Sequence, residues 1–139
     1  YEASQAGVKV KMIVRGICCL IPGVIGMSEN ITVVSVVDKF LEHPRVFIFE
    51  NGGDNKIYLS SADFMTRNIE NRVEVACPVY DKELQQQILD TFNISWNDNT
   101  KGRIVNQNPQ NKMIRPKKGD TQIRSQWMTY DYYKNKLIQ

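Results

Sequence analysis

The sequence carries one histidine, His43, and three cysteines. A single imidazole excludes a histidine-rich metal centre. Adjacent Cys18 and Cys19 with a distant Cys77 lack the spaced pairs of a zinc site. An odd cysteine count in a chain of 139 residues argues against a disulfide framework, so reduced, buried thiols in a cytosolic setting are expected. No apolar run approaches the roughly 18 residues of a membrane span. There is no internal repeat and no low-complexity tract. Without a secretory signal, the glycosylation patterns Asn30-Ile31-Thr32 and Asn93-Ile94-Ser95 are expected to be chance matches. With 24% charged and 42% hydrophobic residues, disorder is excluded as well.

The residues that are present are unevenly distributed. The net charge of +3 hides a body and a tail of opposite sign. Residues 1–100 hold 9 basic and 13 acidic side chains, and residues 101–139 hold 9 basic and 2 acidic. The chain opens on Tyr1-Glu2-Ala3-Ser4-Gln5-Ala6-Gly7, which reads as the end of a helix with Gly7 just past its last turn. It has no initiator Met, and a piece cut from something larger is expected.

Residues 8–15 alternate, with Val8, Val10, Met12 and Val14 on one face, and predict a strand ending at Arg15. In open α/β sheets, ligands bind at that strand edge. Pro22, Gly23 and Gly26 make residues 21–30 a loop, with Ser28-Glu29-Asn30 available to cap the next element. Residues 31–41 carry both signals. Their valines favour a strand, yet Val33, Val36, Val37 and Phe40 share a helical face, and a helix running into Glu42 is the preferred reading. His43-Pro44-Arg45 is extended, because the residue before proline is pushed out of the helical region. Residues 46–50 and 56–60 are two strands of a hairpin turned by Asn51-Gly52-Gly53-Asp54-Asn55. Val73, Val75, Cys77 and Val79 alternate in a third strand, with Pro78 marking an edge. Asp81-Lys82-Glu83 opens a helix with the stripe Leu84, Ile88 and Phe92. Residues 97–121 read as a long connection, and Ile123, Trp127, Tyr130 and Leu137 as a closing helix whose aromatics face a core.

The chemistry concentrates around His43. Extended spacing sets Arg45, whose charge is permanent, on the same side of the chain. The hairpin returns Ser60, Ser61 and Asp63 towards the start of its first strand. An imidazole, a fixed cation and small hydroxyls at a strand end suit a phosphate group. Arg15, at the end of another strand, can clamp a phosphoryl oxygen. Arg67 lies in the polar stretch between the second and third strands, which is longer than a turn needs. The Gly52-Gly53 turn lacks the lysine and following helix of a P-loop.

Five segments carry a resemblance: Val14-Arg15-Gly16-Ile17-Cys18-Cys19-Leu20, Ser28-Glu29-Asn30-Ile31, Phe40-Leu41-Glu42-His43-Pro44-Arg45, Phe49-Glu50-Asn51-Gly52-Gly53-Asp54 and Tyr58-Leu59-Ser60-Ser61-Ala62-Asp63-Phe64-Met65-Thr66-Arg67-Asn68. In order and spacing they resemble the bacterial polyphosphate kinase family, the long, phospholipase D-like type, closely over residues 1–96 and more loosely to Tyr130-Asp131-Tyr132. The resemblance implies an α/β fold, a phospholipase D-like mixed sheet flanked by helices and truncated at its N-terminus. Residues 1–96 would be the C-terminal portion of the second catalytic domain, and residues 97–139 its basic connection and closing helix. It implies reversible transfer of the ATP γ-phosphate to polyphosphate through a phosphohistidine.

On that resemblance His43 is the catalytic histidine of this segment. Arg15, His43 and Arg45 bind ATP or phosphate, with Ser61, Asp63 and Arg67 as further contacts. The phosphorylated histidine, the ligands of Mg²⁺ and an adenine-stacking tyrosine lie upstream, so no metal is held within this segment and the segment alone is inactive. The implied partners are ATP or ADP, polyphosphate, the upstream domains and further copies in a homo-oligomer, with no specific nucleic acid. The implied location is cytoplasmic, with peripheral inner-membrane contact left open. Phospholipase D enzymes carry His-x-Lys, and the lysine position here is Arg45. The alternative is a non-catalytic module in which Lys112, Arg115, Lys117, Lys118 and Arg124 of the basic tail hold a polyanion such as polyphosphate or nucleic acid.

Overall fold

The computed structural model describes residues 1–107 and 112–138. In chain order the elements are α1 (Glu2–Gln5), β1 (Val10–Ile13), β2 (Ile31–Val36), β3 (Val46–Phe49), a 3₁₀ turn (Asn51–Gly53), β4 (Lys56–Ser60), α2 (Thr66–Asn71), β5 (Ala76–Val79), α3 (Lys82–Trp96), β6 (Gly102–Val105) and α4 (Ser125–Lys136). They form a mixed α/β chain with two three-stranded sheets. The chain divides into two compact units, Tyr1–Leu41 with Thr91–Gln139, and Glu42–Asp90. Among the described residues no helix is long and apolar enough to cross a membrane.

The first unit is built on β2. It runs parallel to β1, with Val10 opposite Ile31, and antiparallel to β6, with Val33 opposite Val105. Residues 31–36 are therefore a strand, and the helix expected there does not form. The reason is burial on both faces. Ile31, Val33 and Val34 are buried and Thr32 is exposed, so the neighbours Val33 and Val34, on opposite faces, break the alternation that marks a strand. Such a pattern supplies helical spacing by coincidence. Ser28 precedes a strand, so it caps no helix. Its buried hydroxyl donates to the Ile21 carbonyl (2.6 Å) and accepts from the Val24 amide (3.0 Å), which shapes the loop. Gly7 closes α1 at φ 87°, as its position past the helix predicts.

The expected connection over residues 97–121 contains β6, hidden by its Asn- and Lys-rich flanks. Beyond β2, Arg103 also bridges to Met113. Asp98, only 1% exposed, organises this region. One carboxylate oxygen accepts the amides of Thr100 (2.9 Å), Lys101 (2.6 Å) and Gly102 (3.1 Å), and the other accepts the amide of Ser125 (2.7 Å) at the start of α4. A carboxylate at a helix N-terminus is also favoured by the helix dipole. Gly102 is required by close approach: a Cβ there would lie 2.2 Å from the Asp98 carbonyl oxygen. Gly102→Ala is expected to cost about 1–3 kcal/mol by overpacking, read as a lowered thermal midpoint.

α4 departs from expectation. Trp127, Tyr130 and Tyr133 are exposed rather than core. The start of α4 is held to residues 38–40 by polar bonds. Arg124 pairs with both oxygens of Asp38 at 2.7 Å, and the Gln126 amide exchanges bonds with the backbone of Phe40.

In the second unit β4 lies between β3 and β5, both antiparallel to it, and β5 is an edge as Pro78 predicts. Ile57, on β4, is the buried apolar side chain of this unit. The hairpin turn passes through positive φ at Asn51, Gly52 and Gly53, which explains its glycines. Asp81 caps α3 by accepting the Leu84 amide at 3.0 Å. On α3, Leu84 is exposed, and Gln85 is buried instead, donating to the Val79 carbonyl at 2.7 Å. The thiols are also unlike the expected buried set. Cys19 and Cys77 are exposed, Cys18 is partly so, and all three are free.

Candidate functional site

The site of the second unit grows from the end of the β3–β4 ladder. Arg45 immediately precedes β3, and its carbonyl accepts the Ser60 amide at 2.8 Å, extending the pairing by one step. Beyond β4, Ser61 is pinned to the strand leading into β5. Its amide donates to the Val75 carbonyl and its hydroxyl accepts the Val75 amide, both at 3.0 Å. The chain then turns and brings Asp63 back over Arg45.

One oxygen of Asp63 receives both partners. Arg45 Nε donates to Oδ1 at 2.8 Å, and His43 Nε2 lies 3.0 Å from the same atom. Arg45 and Asp63 side chains are each 26% exposed and His43 is 47% exposed, so the cluster is anchored inside and open outside. The Arg45 guanidinium, and then His43, hold the Asp63 carboxyl at about 2. Asp63 in turn raises Arg45 above its ordinary value. An ionised carboxylate only accepts hydrogen bonds. The His43–Asp63 bond puts the proton on Nε2 and the lone pair on Nδ1, whereas in the other tautomer Nε2 accepts from Arg45 Nη2, also 3.0 Å away. Arg45 Nη2 is 3.4 Å from that Nδ1.

The lowered Asp63 value makes the fold sensitive to acid. The contribution of this carboxylate is present above its ordinary value of 3.8 and is lost as pH falls towards about 2. A carboxyl-carbon NMR titration is expected to place the Asp63 midpoint near 2. A midpoint at the ordinary value means the clamp does not form in solution.

The structure joins His43, Arg45 and Asp63, as the extended spacing and hairpin return suggest. Ser61 belongs to the same loop, but its hydroxyl donates to Glu74. Arg67 is exposed on α2, and among the described residues it makes no hydrogen bond or ion pair with the cluster. Arg15 belongs to the first unit, two residues beyond β1, and is exposed. A cleft of about 660 Å³ begins at the next residue, Gly16, and is lined by Leu20, Val24, Met27 and Arg103 among others. Sequence reasoning missed Glu74 and named Asn68 only within the polar stretch that follows β4. Glu74 could have been noticed as the one acid between Val73 and Val75, on the opposite face of the expected strand.

The carboxylates at the cluster do not fit a hard divalent cation. Asp63 is committed to Arg45 and His43, and Glu74 to Ser61 and Asn68. Among the described residues no group of three or more His, Cys, Asp or Glu side chains is placed to hold a metal ion.

Fold and site together define a mixed α/β chain that presents a carboxylate-anchored histidine–arginine pair at a strand end. The family model described as polyphosphate kinase C-terminal domain 2 matches residues 1–126, and the chain belongs to this family. It is 52% identical over 135 residues to the polyphosphate kinase of Vibrio parahaemolyticus, covering 97% of this chain and 19% of the relative. It is 49% identical to that of Escherichia coli K12, with 97% and 20% covered. The crystal structure of polyphosphate kinase from Porphyromonas gingivalis superposes with a TM-score of 0.91 at 42% identity, covering 97% of this chain and 20% of that one. The chain thus spans about a fifth of the length of these relatives.

Proposed function

We propose that this chain is a catalytic segment of a polyphosphate kinase. Together with the rest of a longer polypeptide it moves the γ-phosphate of ATP reversibly onto polyphosphate through a phosphohistidine. The observation that carries this reading is the His43–Asp63–Arg45 cluster in a chain of this family. Phosphoryl transfer asks the protein mainly for positioning and for charge that meets the transferring group.

On this reading the histidine that takes the phosphate lies upstream of Tyr1. His43, steadied by Asp63, hydrogen-bonds the transferring or leaving phosphate. Arg45 meets the equatorial oxygens from the same cluster. Arg15 holds ATP, with the cleft beginning at Gly16 offering room beside it. Ser61 and Asp63 act by shaping the cluster, and Arg67 remains an outer contact. His43-x-Arg45 takes the position of the phospholipase D-type His-x-Lys pair, the fold being of that type. Mg²⁺ has its ligands outside this segment, and no step here runs through it. The working enzyme is a cytoplasmic homo-oligomer. The alternative, a polyanion-binding module, would use Lys112, Arg115, Lys117 and Lys118 of the basic tail, Arg124 being paired with Asp38.

The test is synthesis of labelled polyphosphate from γ-labelled ATP. The full-length polypeptide is expected to make it, and the 139 residues alone are expected to make none. Synthesis by the short chain, or acid-labile phosphate on His43, overturns this division of roles.

A further inference from the structure

We infer that Glu74 is a positioning residue for the cluster: it holds the Ser61–Asp63 segment so that Asp63 meets His43 and Arg45. Glu74 touches none of the groups that would meet phosphate. It acts one layer behind them. One oxygen accepts the Ser61 hydroxyl, and the other accepts the Asn68 side-chain amide at 2.7 Å. These two donors bracket Asp63 in the chain, Ser61 two residues before it and Asn68 five after. Ser61 is tied in addition to Val75, the residue after Glu74, by two further bonds. Glu74 is therefore the node at which both ends of the Asp63 loop meet.

Asn68 supports this reading independently. It is buried at 3% exposure, and its Oδ1 has no hydrogen-bond partner. A buried, unpaired carbonyl is unfavourable. Turning the amide over would place that oxygen against the Glu74 carboxylate, which is worse. The orphaned oxygen is what remains when a charged acceptor dictates the orientation of the amide. The Ser61 and Asn68 bonds keep Glu74 ionised, and the charges of Arg72 and Arg45 act in the same direction.

This inference rests on the proposed role of His43. Its test is a double-substitution cycle in the full-length enzyme, using Glu74→Ala, His43→Ala and the pair together. Glu74→Ala is expected to lower kcat by about 10–100-fold, since displacing a reacting group by about 1 Å costs about that much. KM for ATP is expected to stay within about 3-fold, because Arg15 is untouched. Glu74→Gln keeps the span and one acceptor, and is expected to recover most of the lost kcat. Because Glu74 acts through Asp63 on His43 and Arg45, the double variant is expected to lose clearly less than the product of the two single losses. Additive losses, or wild-type kcat in Glu74→Ala when His43→Ala is slow, overturn the positioning role. Wild-type kcat in His43→Ala overturns the proposed function, and the inference with it. If Glu74→Ala fails to fold, the same cycle with Glu74→Gln decides, its smaller loss being expected to shrink on the His43→Ala background.

Discussion

Replacing His43 by alanine in the full-length enzyme is expected to slow phosphoryl transfer by about 10²–10⁴-fold, the range for loss of a general acid or base. The expectation rests on what Asp63 does to the ring. Its Oδ1 sits 3.0 Å from Nε2 and is itself fixed by Arg45 at 2.8 Å. The imidazole is thereby held on the exposed side of the cluster, 47% accessible, against both Asp63 and Arg45. Alanine removes the ring and leaves Arg45 and Asp63 paired with each other, so the fold around the cluster should survive. The loss is expected in kcat more than in KM for ATP, because the proton matters most as charge moves to the leaving phosphate. Single-turnover transfer from labelled ATP measures it directly. Transfer at the wild-type rate by a folded variant would remove His43 from the mechanism.

The second large effect concerns stability. Asp98→Ala is expected to destabilise the chain by about 3–5 kcal/mol, because four backbone amides lose a charged, buried acceptor at once. Three of those amides lie at the start of β6 and one at the start of α4. The end of α3, the edge of the first sheet and the closing helix are therefore expected to loosen together. Burial opposes the Asp98 charge, yet the amides of Lys101, Ser125 and Thr100 prevail and hold the carboxyl below its ordinary value. This contribution is therefore present above the ordinary carboxylate value of 3.8 and is lost as pH falls through the lower folded value. Urea unfolding of wild type and Asp98→Ala at neutral pH, repeated at about pH 3, should show the gap narrowing in acid. A neutral-pH difference below about 1 kcal/mol would refute the four-amide account.

Local chemistry made much of the second unit legible in the sequence. Proline at 44 excludes a helix through His43, and glycines 52 and 53 permit a turn that most residues resist. Those constraints act on neighbours in the chain. They predict the hairpin whose return directs Asp63 towards His43 and Arg45. In the first unit the same reasoning succeeded for β1, where alternation marks a half-covered strand. It failed for β2, whose buried valines on both faces imitate a helical stripe.

Chain chemistry alone settles the residue types of the cluster, the hairpin that presents them, and the segment pattern that marks the family. Four features came only with folding. β2 is a strand because β1 and β6 complete its hydrogen bonds, and neither partner is near it in the chain. β6 exists because Asp98 and β2 hold a stretch whose own composition is that of a loop. The Asp63 carboxylate is shared between Arg45 and His43 only once the β3–β4 ladder has brought them together. Glu74 matters only because folding sets it between Ser61 and Asn68. The common reason is that pairing and charge compensation depend on distances in space, and a one-dimensional pattern records only distances along the chain.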